Sequence, residues 1–327
     1  MQRSHLFISI AGVVFALIGG VLWWVGQQFT APDASAEDEL FVVSKVATVD
    51  EVKAKIQERR LFRTEWAFEK ELVKRGGYEK IVPGGYTVSR AMDARTLATT
   101  LTSAPARVWV TIPEGFRKEQ IAERLADALG WTSDEETQFV EVYTAMTFEK
   151  VEGYYFPDTY LLPVDESGLD IAARMLARFE EAFFPYYEKF ANANIRYDTA
   201  VKVASIVQRE AAGAHDMPLI AGILWNRLLT GMKLEVDATV QYVVGNKERG
   251  WWPVITKDDL AIDSPYNTYL HEGLPLHAIS NPGLDAIDAV LNSEETECLY
   301  YLHDAVRVIH CAKTFEEHTQ NIETYLR

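Results

Sequence analysis

From Leu6 to Val25 the chain carries no charged side chain, and this run limits what the polypeptide can fold into more than any other stretch. About 20 mostly apolar residues is the length that crosses a bilayer as a helix. Inside hydrocarbon the backbone must satisfy its own N–H and C=O groups, so a helix is the conformation to expect. Trp23 and Trp24 close the run, where aromatic rings favour the membrane interface. Arg3 precedes it, and Asp33, Glu37, Asp38 and Glu39 follow. The positive-inside rule then places the N-terminus in the cytoplasm and the rest of the chain outside an inner or plasma membrane crossed once. Ala34-Ser35-Ala36 has the small-x-small form of a processing site, but its distance from the apolar run favours an uncleaved anchor.

The remaining length suits about two domains. Of 327 residues, 48% are hydrophobic and 12% aromatic, enough to build packed cores rather than a disordered chain. The 48 acidic residues outnumber 32 basic ones and give a formal charge of -16. Such a chain is a poor partner for nucleic-acid phosphates and is compatible with neutral or amide-rich polymers. The sequence holds no phosphate-cradling glycine loop, dinucleotide fingerprint or zinc-ligand spacing, so neither a cofactor nor a metal is expected. Cys298 and Cys311 read as part of a C-terminal hairpin. A turn centred on Asp304-Ala305 would set them opposite each other, within disulfide reach, whereas a longer turn slips the register and separates them.

After a short linker, Gly26 to Glu39, the pattern is α+β. Three strand-like runs each precede a helix: Phe41 to Lys45 before Val49 to Arg59, Gly85 to Arg90 before a helix capped by Asp93, and Val108 to Ile112 before a helix carrying Ile121, Leu125 and Leu129. A Pro113-Glu114-Gly115 turn separates the last pair, and Ser133 with Glu136 forms a capping-box pattern for the next helix. This part reads either as a binding or spacer module or as a plain platform. Val151 to Tyr160, VEGYYFPDTY, puts three adjacent aromatics before a helix-stopping Pro157. Tyr154 and Phe156 suit the C–H faces of sugars, with Glu152 and Asp158 reaching hydroxyls; equally, the same rings suit a core plug. A long helix over Ile171 to Phe190 follows.

The stretch Ala200 to Gly213, AVKVASIVQREAAG, places Ala200, Val203, Val207 and Glu210 on one helical stripe. A carboxylate that ends an apolar stripe loses hydration of its charged form, so its pKa should rise, as a general acid near neutral pH requires. A frayed, solvated helix end is the plainer reading. Beyond a helical pattern over Met217 to Leu229 comes LEVDATVQY, Leu234 to Tyr242, where Asp237 serves either as N-cap or as a second carboxylate near Glu210. Ser264 to Gly283 is a long aperiodic stretch, and loops of that length inside a compact domain are usually functional. Asn281-Pro282 reads as the cap and first-turn proline of a helix ending near Asn292. Strands from Leu299 and a helix over Phe315 to Leu326 complete the chain.

In order, VEGYYFPDTY, ASIVQRE, LEVDATVQY and SPYNTYLHEGLP…ISNPG resemble the signature of the MltG/YceG-like family of endolytic murein transglycosylases. The resemblance runs from the apolar run to Ala312–His318 and is strongest over Val151 to Gly283. It implies cleavage of peptidoglycan strands between MurNAc and GlcNAc with a 1,6-anhydroMurNAc product, which limits strand length, and partnership with cell-wall synthesis enzymes. Glu210 stands at the family's catalytic glutamate. Asp237, Gln241, Tyr266, Asn267 and Thr268 are the expected holders of sugar and N-acetyl groups. The unit at Ile112 to Leu129 is similar to the family's LysM-like subdomain. The implied organisation is a cytoplasmic tip and transmembrane helix over 1–30, a linker and α+β region with a LysM-like subdomain over 31–147, and a mixed α/β catalytic domain with a helical core over 148–327. The chain departs from the family pattern at Gln208, where many relatives have an acid, at Ala238 in place of a usual proline, and at Leu276-His277-Ala278 in place of a Pro/Gly-rich run. Two alternatives stand beside this reading. One is a hydrolase that recruits Asp237, Glu152 or Asp158 as second carboxylate, and the other is a wall-binding module without catalysis.

Overall fold

The computed structural model describes residues 2–145 and 152–326, with side chains from residue 12 onward. Val151 and the side chains of Leu6 to Ala11 therefore lie outside the described residues. The architecture is α+β, and the chain divides into two compact units, Met1–Trp109 with Leu161–Val164 and Val110–Tyr160 with Asp165–Arg327.

The first unit opens with helix α1, Gln2–Gln28. Its apolar side chains are exposed, among them Phe15, Leu17, Leu22, Trp23 and Trp24, each at 60% or more. Among the described residues, no helix is long and apolar enough to cross a membrane, so the expected transmembrane helix is not found as such; the described side chains of α1 begin only at Gly12. Strand β1, Asp38–Val43, leads into α2, Val49–Glu58, which opens on a capping box between Thr48 and Glu51. Helix α3, Glu65–Val73, follows, an element the pattern reading passed over, and buries Ala67, Phe68 and Leu72. Strand β2, Gly84–Ser89, pairs antiparallel with β1 and sets Tyr86 opposite Phe41. Helix α4, Ala94–Thr102, begins at Asp93, whose carboxylate accepts the Thr96 N–H as expected. Strands β3, Arg107–Thr111, and β4, Thr159–Pro163, complete a four-stranded sheet in the order β1-β2-β3-β4. The core gathers Phe41, Ile56, Leu61, Phe68, Tyr86 and Leu97, all fully buried or within 1% of it.

The second unit begins with the glycine turn at Gly115 and α5, Lys118–Leu129. The unit at Ile112 to Leu129, expected within a LysM-like region ending at 147, thus lies in the same compact body as Glu210. Helix α6, Ser133–Gln138, is capped by Thr132 with Glu135, one residue before the predicted pair, and a π-helical turn, Phe139–Tyr143, extends it. Helices α7, Gly168–Asn192, α8, Tyr197–Glu210, α9, Met217–Leu229, and α10, Asp237–Val244, follow. Helix α11 covers Leu284–Leu291, strands β5 and β6 cover Tyr300–His303 and Ile309–Ala312, and α12 covers Phe315–Tyr325.

Helix α8 sits at the centre. Seven residues from Ala200 to Val207 are buried, more than one stripe can account for, which marks a helix enclosed on nearly all sides. It packs against α7, α9, α10 and α11. Phe179, Phe183 and Phe190 of α7 stack along the same core, with neighbouring ring centroids 5.2 and 5.6 Å apart.

The aromatic stretch turns out to be a plug. Tyr154, Tyr155 and Phe156 are buried; the Tyr154 ring meets Phe179 edge-on at 5.0 Å, and Tyr155 Oη donates to the Thr144 carbonyl. Gly153 has φ +92°, and a Cβ there would come within 2.6 Å of Ala278 Cβ and 2.7 Å of Val201 Cγ1. Only glycine lets this segment lie so close to α8. Asn281 is not a helix cap: Gly283 occupies that position. The Asn281 side chain is fully buried and accepts the Gly153 and Tyr155 N–H groups while donating to Phe116 O and Glu152 Oε1. Cys298 and Cys311 form a disulfide with Cα atoms 5.9 Å apart. The hairpin register pairs Tyr301 with Cys311, so the turn is the longer one; the bond forms because Cys298 precedes the strand rather than facing Cys311 across it.

Candidate active site

Glu210 is the last residue of α8. The chain turns extended at Ala211 because the next residues wrap around a buried carboxylate: Asp216 accepts the Ala212 and Gly213 N–H groups at 2.9 and 3.1 Å. His303 Nε2, from β5, lies 2.7 Å from the same carboxylate. Burial works to raise the Asp216 pKa, yet the two amides and His303 hold it below its ordinary value. This pinned loop fixes where α8 ends and therefore where Glu210 stands.

The Glu210 carboxylate accepts the Tyr301 hydroxyl at 2.8 Å. Burial pushes its pKa up and the negative charge of Asp237 adds to that, while the Tyr301 hydroxyl, the Ala238 amide and His303 pull it down; the balance is upward. Its side chain opens into a cleft of about 370 Å³ whose walls include Asp237, Tyr269, Tyr301, Arg227 and the α12 residues Phe315 and Ile322. A protonated carboxylic acid facing such a cleft can donate a proton to a bound oxygen and take one back.

Asp237 shares the cleft, as the sharper of its two readings requires. Val236 takes the N-cap position, so Asp237 is the first helical residue and does not cap. The Tyr269 hydroxyl donates to Asp237 Oδ1. Thr268 lies behind it, where its hydroxyl accepts the Val236 N–H at 3.0 Å and meets Thr239 Oγ1 at 2.9 Å, both buried. Asn267 is likewise buried and internal: its amide donates to the Leu260 and Ile262 carbonyls and its oxygen accepts the Tyr269 N–H. Gln241 donates to the Pro253 carbonyl. Tyr266 packs on Tyr242 at 5.0 Å, and burial raises its pKa to about 12. Of the five expected sugar holders, Asp237 lines the cleft; Thr268 and Asn267 spend their polar groups shaping the loops that present Asp237 and Tyr269.

The other expected positions gather elsewhere in the unit. Glu152 is buried, and its carboxyl accepts the Lys118 N–H, the Asn281 amide and, at 3.3 Å, the Tyr242 hydroxyl. Burial, reinforced by Glu119, raises its pKa to about 8 against the pull of Arg117. Asp158 is paired with Arg178 at 2.7 Å, and the Arg178 guanidinium lies over the Phe156 ring. None of Glu152, Tyr154, Phe156 and Asp158 lines the Glu210 cleft.

Sequence reasoning missed the partners of Glu210 and of the loop that follows it. Tyr301 and His303 lie 91 and 87 positions from the groups they touch, and a two-residue alternation in a short strand was their only local signal. Arg227 was also missed. It is buried, donates to the Leu234 and Leu299 carbonyls and carries its guanidinium over the Tyr300 ring at 5.1 Å, so it ties α9 to both sides of the cleft.

Known proteins resemble this arrangement over most of its length. The YceG-like family model matches residues 41–324. An endolytic murein transglycosylase of Bacillus subtilis is 29% identical over 303 residues, 86% of this chain and 82% of the relative. An endolytic murein transglycosylase of Streptococcus pneumoniae is 27% identical over 286 residues, and there the chain spans about half, 51%, of the relative's length. A crystal structure of a yceG-like protein from Listeria monocytogenes superposes with a TM-score of 0.63 at 24% identity, covering 87% of this chain and 98% of that one, which is a likeness of fold. On the extent of the family match, the chain belongs to the YceG-like family.

Proposed function

We propose that the chain is a membrane-anchored endolytic murein transglycosylase with Glu210 as its single acid–base group. The observation that carries this reading is the environment of Glu210: a carboxyl raised in pKa by burial, in hydrogen-bond contact with Tyr301, at the edge of an open cleft. Relatives named endolytic murein transglycosylase supply the substrate class. In the step proposed, Glu210 donates its proton to the glycosidic oxygen as the C1–O bond breaks and an oxocarbenium-like centre forms. The resulting carboxylate takes the proton of the sugar's C6 hydroxyl, whose oxygen closes on C1. No water is consumed, and the acid is regenerated. The nucleophile is tethered to its own target, so proximity replaces a second enzymic carboxylate.

Anchoring is part of the proposal. The exposed apolar face of α1, from Val13 to Trp24, suits hydrocarbon better than water, and with Arg3 on the cytoplasmic side the second unit would meet nascent strands outside an inner or plasma membrane. Limiting strand length and working beside cell-wall synthesis enzymes follow from the same reading. Asp237 in the same cleft favours one rival, hydrolysis with Asp237 directing water. Mass spectrometry of fragments released from glycan strands by the full-length protein separates the two. Internal fragments with anhydro ends, absent with Glu210→Gln, support the proposal, and reducing MurNAc ends would transfer it to a hydrolase. Glu210→Gln cannot carry a proton, so turnover should fall by about 10²–10⁴-fold.

A further inference from the structure

A second cavity, of about 300 Å³, opens at the opposite end of α8 from Glu210. Lys202 faces it from the helix and His277 from the adjoining loop, and Arg196 flanks the entrance. Arg196 is matched by Asp198, with Nε 3.0 Å from Oδ1. Lys202 has no ion-pair partner and His277 no hydrogen bond among the described residues. Burial and the neighbouring Lys202 hold the His277 pKa below its ordinary value, so its imidazole is a neutral donor and acceptor. Glu152 is also in the lining, where burial raises its pKa and the Lys118 N–H and the Asn281 amide donate to its carboxyl. In a chain with a formal charge of -16, an unpaired ammonium facing a cavity is a local reversal of sign.

Two further observations narrow the ligand. Beside its charged groups the lining carries Tyr154, Tyr197, Val201, Leu276 and Ala278. Lys202 and Glu210 are eight residues apart on one helix, about 12 Å at 1.5 Å per residue. An extended peptide advances about 3.3–3.6 Å per residue, so roughly four residues span the interval.

We propose that this cavity is a subsite for the short, carboxylate-bearing peptide that murein carries on its glycan, with Lys202 taking a carboxylate, His277 hydrogen-bonding beside it and Leu276 and Val201 covering small aliphatic side chains. The assignment rests on the murein reading of the Glu210 cleft. It makes the enzyme sensitive to the peptide as well as to the sugar.

The test uses the full-length protein in detergent, carrying Glu210→Gln, titrated calorimetrically with a synthetic pentapeptide Ala-γ-D-Glu-Lys-D-Ala-D-Ala and with its fully amidated form. The free acid should bind at least about tenfold more tightly, Lys202→Gln should abolish that difference, and His277→Ala should weaken the free acid several-fold. Equal affinity for the two forms, or binding of neither, overturns the proposal. In parallel, the active protein is given peptide-bearing strands and strands stripped by an amidase. The ratio of kcat/KM should be about ten or more and fall toward one with Lys202→Gln through KM; a ratio of one in the unaltered protein overturns the proposal. If neither strand is cleaved, the murein reading of the cleft fails. The peptide titration still decides the cavity, because it needs no turnover.

Discussion

Burial and Tyr301 act on the Glu210 proton in opposite senses. The hydroxyl stabilises the carboxylate and burial stabilises the acid. A general acid is active while protonated, so kcat/KM should fall as pH rises through the Glu210 pKa. Tyr301→Phe removes a donor to the charged form and leaves the burial, so the pKa should rise and the falling limb of the profile should move to higher pH. Loss of a hydrogen bond to a charged group, about 1.5 kcal/mol at the low end, should also lower kcat by roughly tenfold. An unmoved limb, or one displaced to lower pH, would show that Tyr301 does not act on the Glu210 proton. In the sequence Glu210 stands out as an acid ending an apolar stripe, a pattern that a buried acid and a solvated helix end share; its burial comes from the elements packed around α8. Tyr301 does not stand out, since its role depends on where β5 lands beside the end of α8.

At the scale of elements, α8 is held in place by a strap. In the segment Ile279–Gly283, Ile279 N–H donates to Ser205 Oγ, Ser280 Oγ donates to the Ser205 carbonyl, and Gly283 N–H donates to Gln208 Oε1. Asn281 joins this strap to the aromatic plug and to the turn before α5. Asn281→Ala removes four hydrogen bonds and strands buried partners at about 1–3 kcal/mol each, so the second unit should lose roughly 3–5 kcal/mol, about 10 °C in Tm at this size. A loss below about 1 kcal/mol in denaturant melts would mean that the stranded groups find other partners. The Cys298–Cys311 bond braces the hairpin that carries Tyr301 and His303. Closing a loop of about 15 residues is worth about 3 kcal/mol. Reduction of the unaltered protein and the Cys298→Ser/Cys311→Ser variant should therefore give matching losses, with no further effect of reductant on the variant. Helices of this unit were legible from their stripes, with ends displaced by up to three residues. Loop side chains were not. A tyrosine in VEGYYFP looks the same whether it faces a sugar or a core, and the answer lies in Gly153 meeting Ala278, 125 positions away.

On the scale of the whole molecule, a strongly acidic chain carries at one end a helix whose apolar side chains face outward. Val13, Val14, Phe15, Leu17, Ile18, Val21 and Leu22 are all at least 47% exposed, and at about 25 cal/mol per Å² of apolar surface such a face is costly in water. The first unit is close to neutral, with 14 basic and 12 acidic residues, and the second is strongly anionic, with 18 and 36, so net attraction of the chain to an anionic bilayer surface is a poor explanation for membrane attachment; insertion of α1 is the alternative with a driving force. The full-length protein should therefore float with vesicles of phosphatidylethanolamine and phosphatidylglycerol and stay with them in alkaline carbonate, which strips surface-bound proteins. A charge at the centre of a spanning helix costs about 2.5–3.5 kcal/mol on the insertion scale, so Leu17→Arg with Val21→Arg should shift the protein to the soluble fraction while leaving the Tm of the second unit in place. Carbonate extraction of the unaltered protein, or flotation of the double variant at the original level, would remove the anchor and with it the restriction of the cleft to strands near the membrane. Retention that the two arginines abolish would tie the reach of Glu210 to the bilayer and, on the proposed activity, direct the cleft to strands as they emerge.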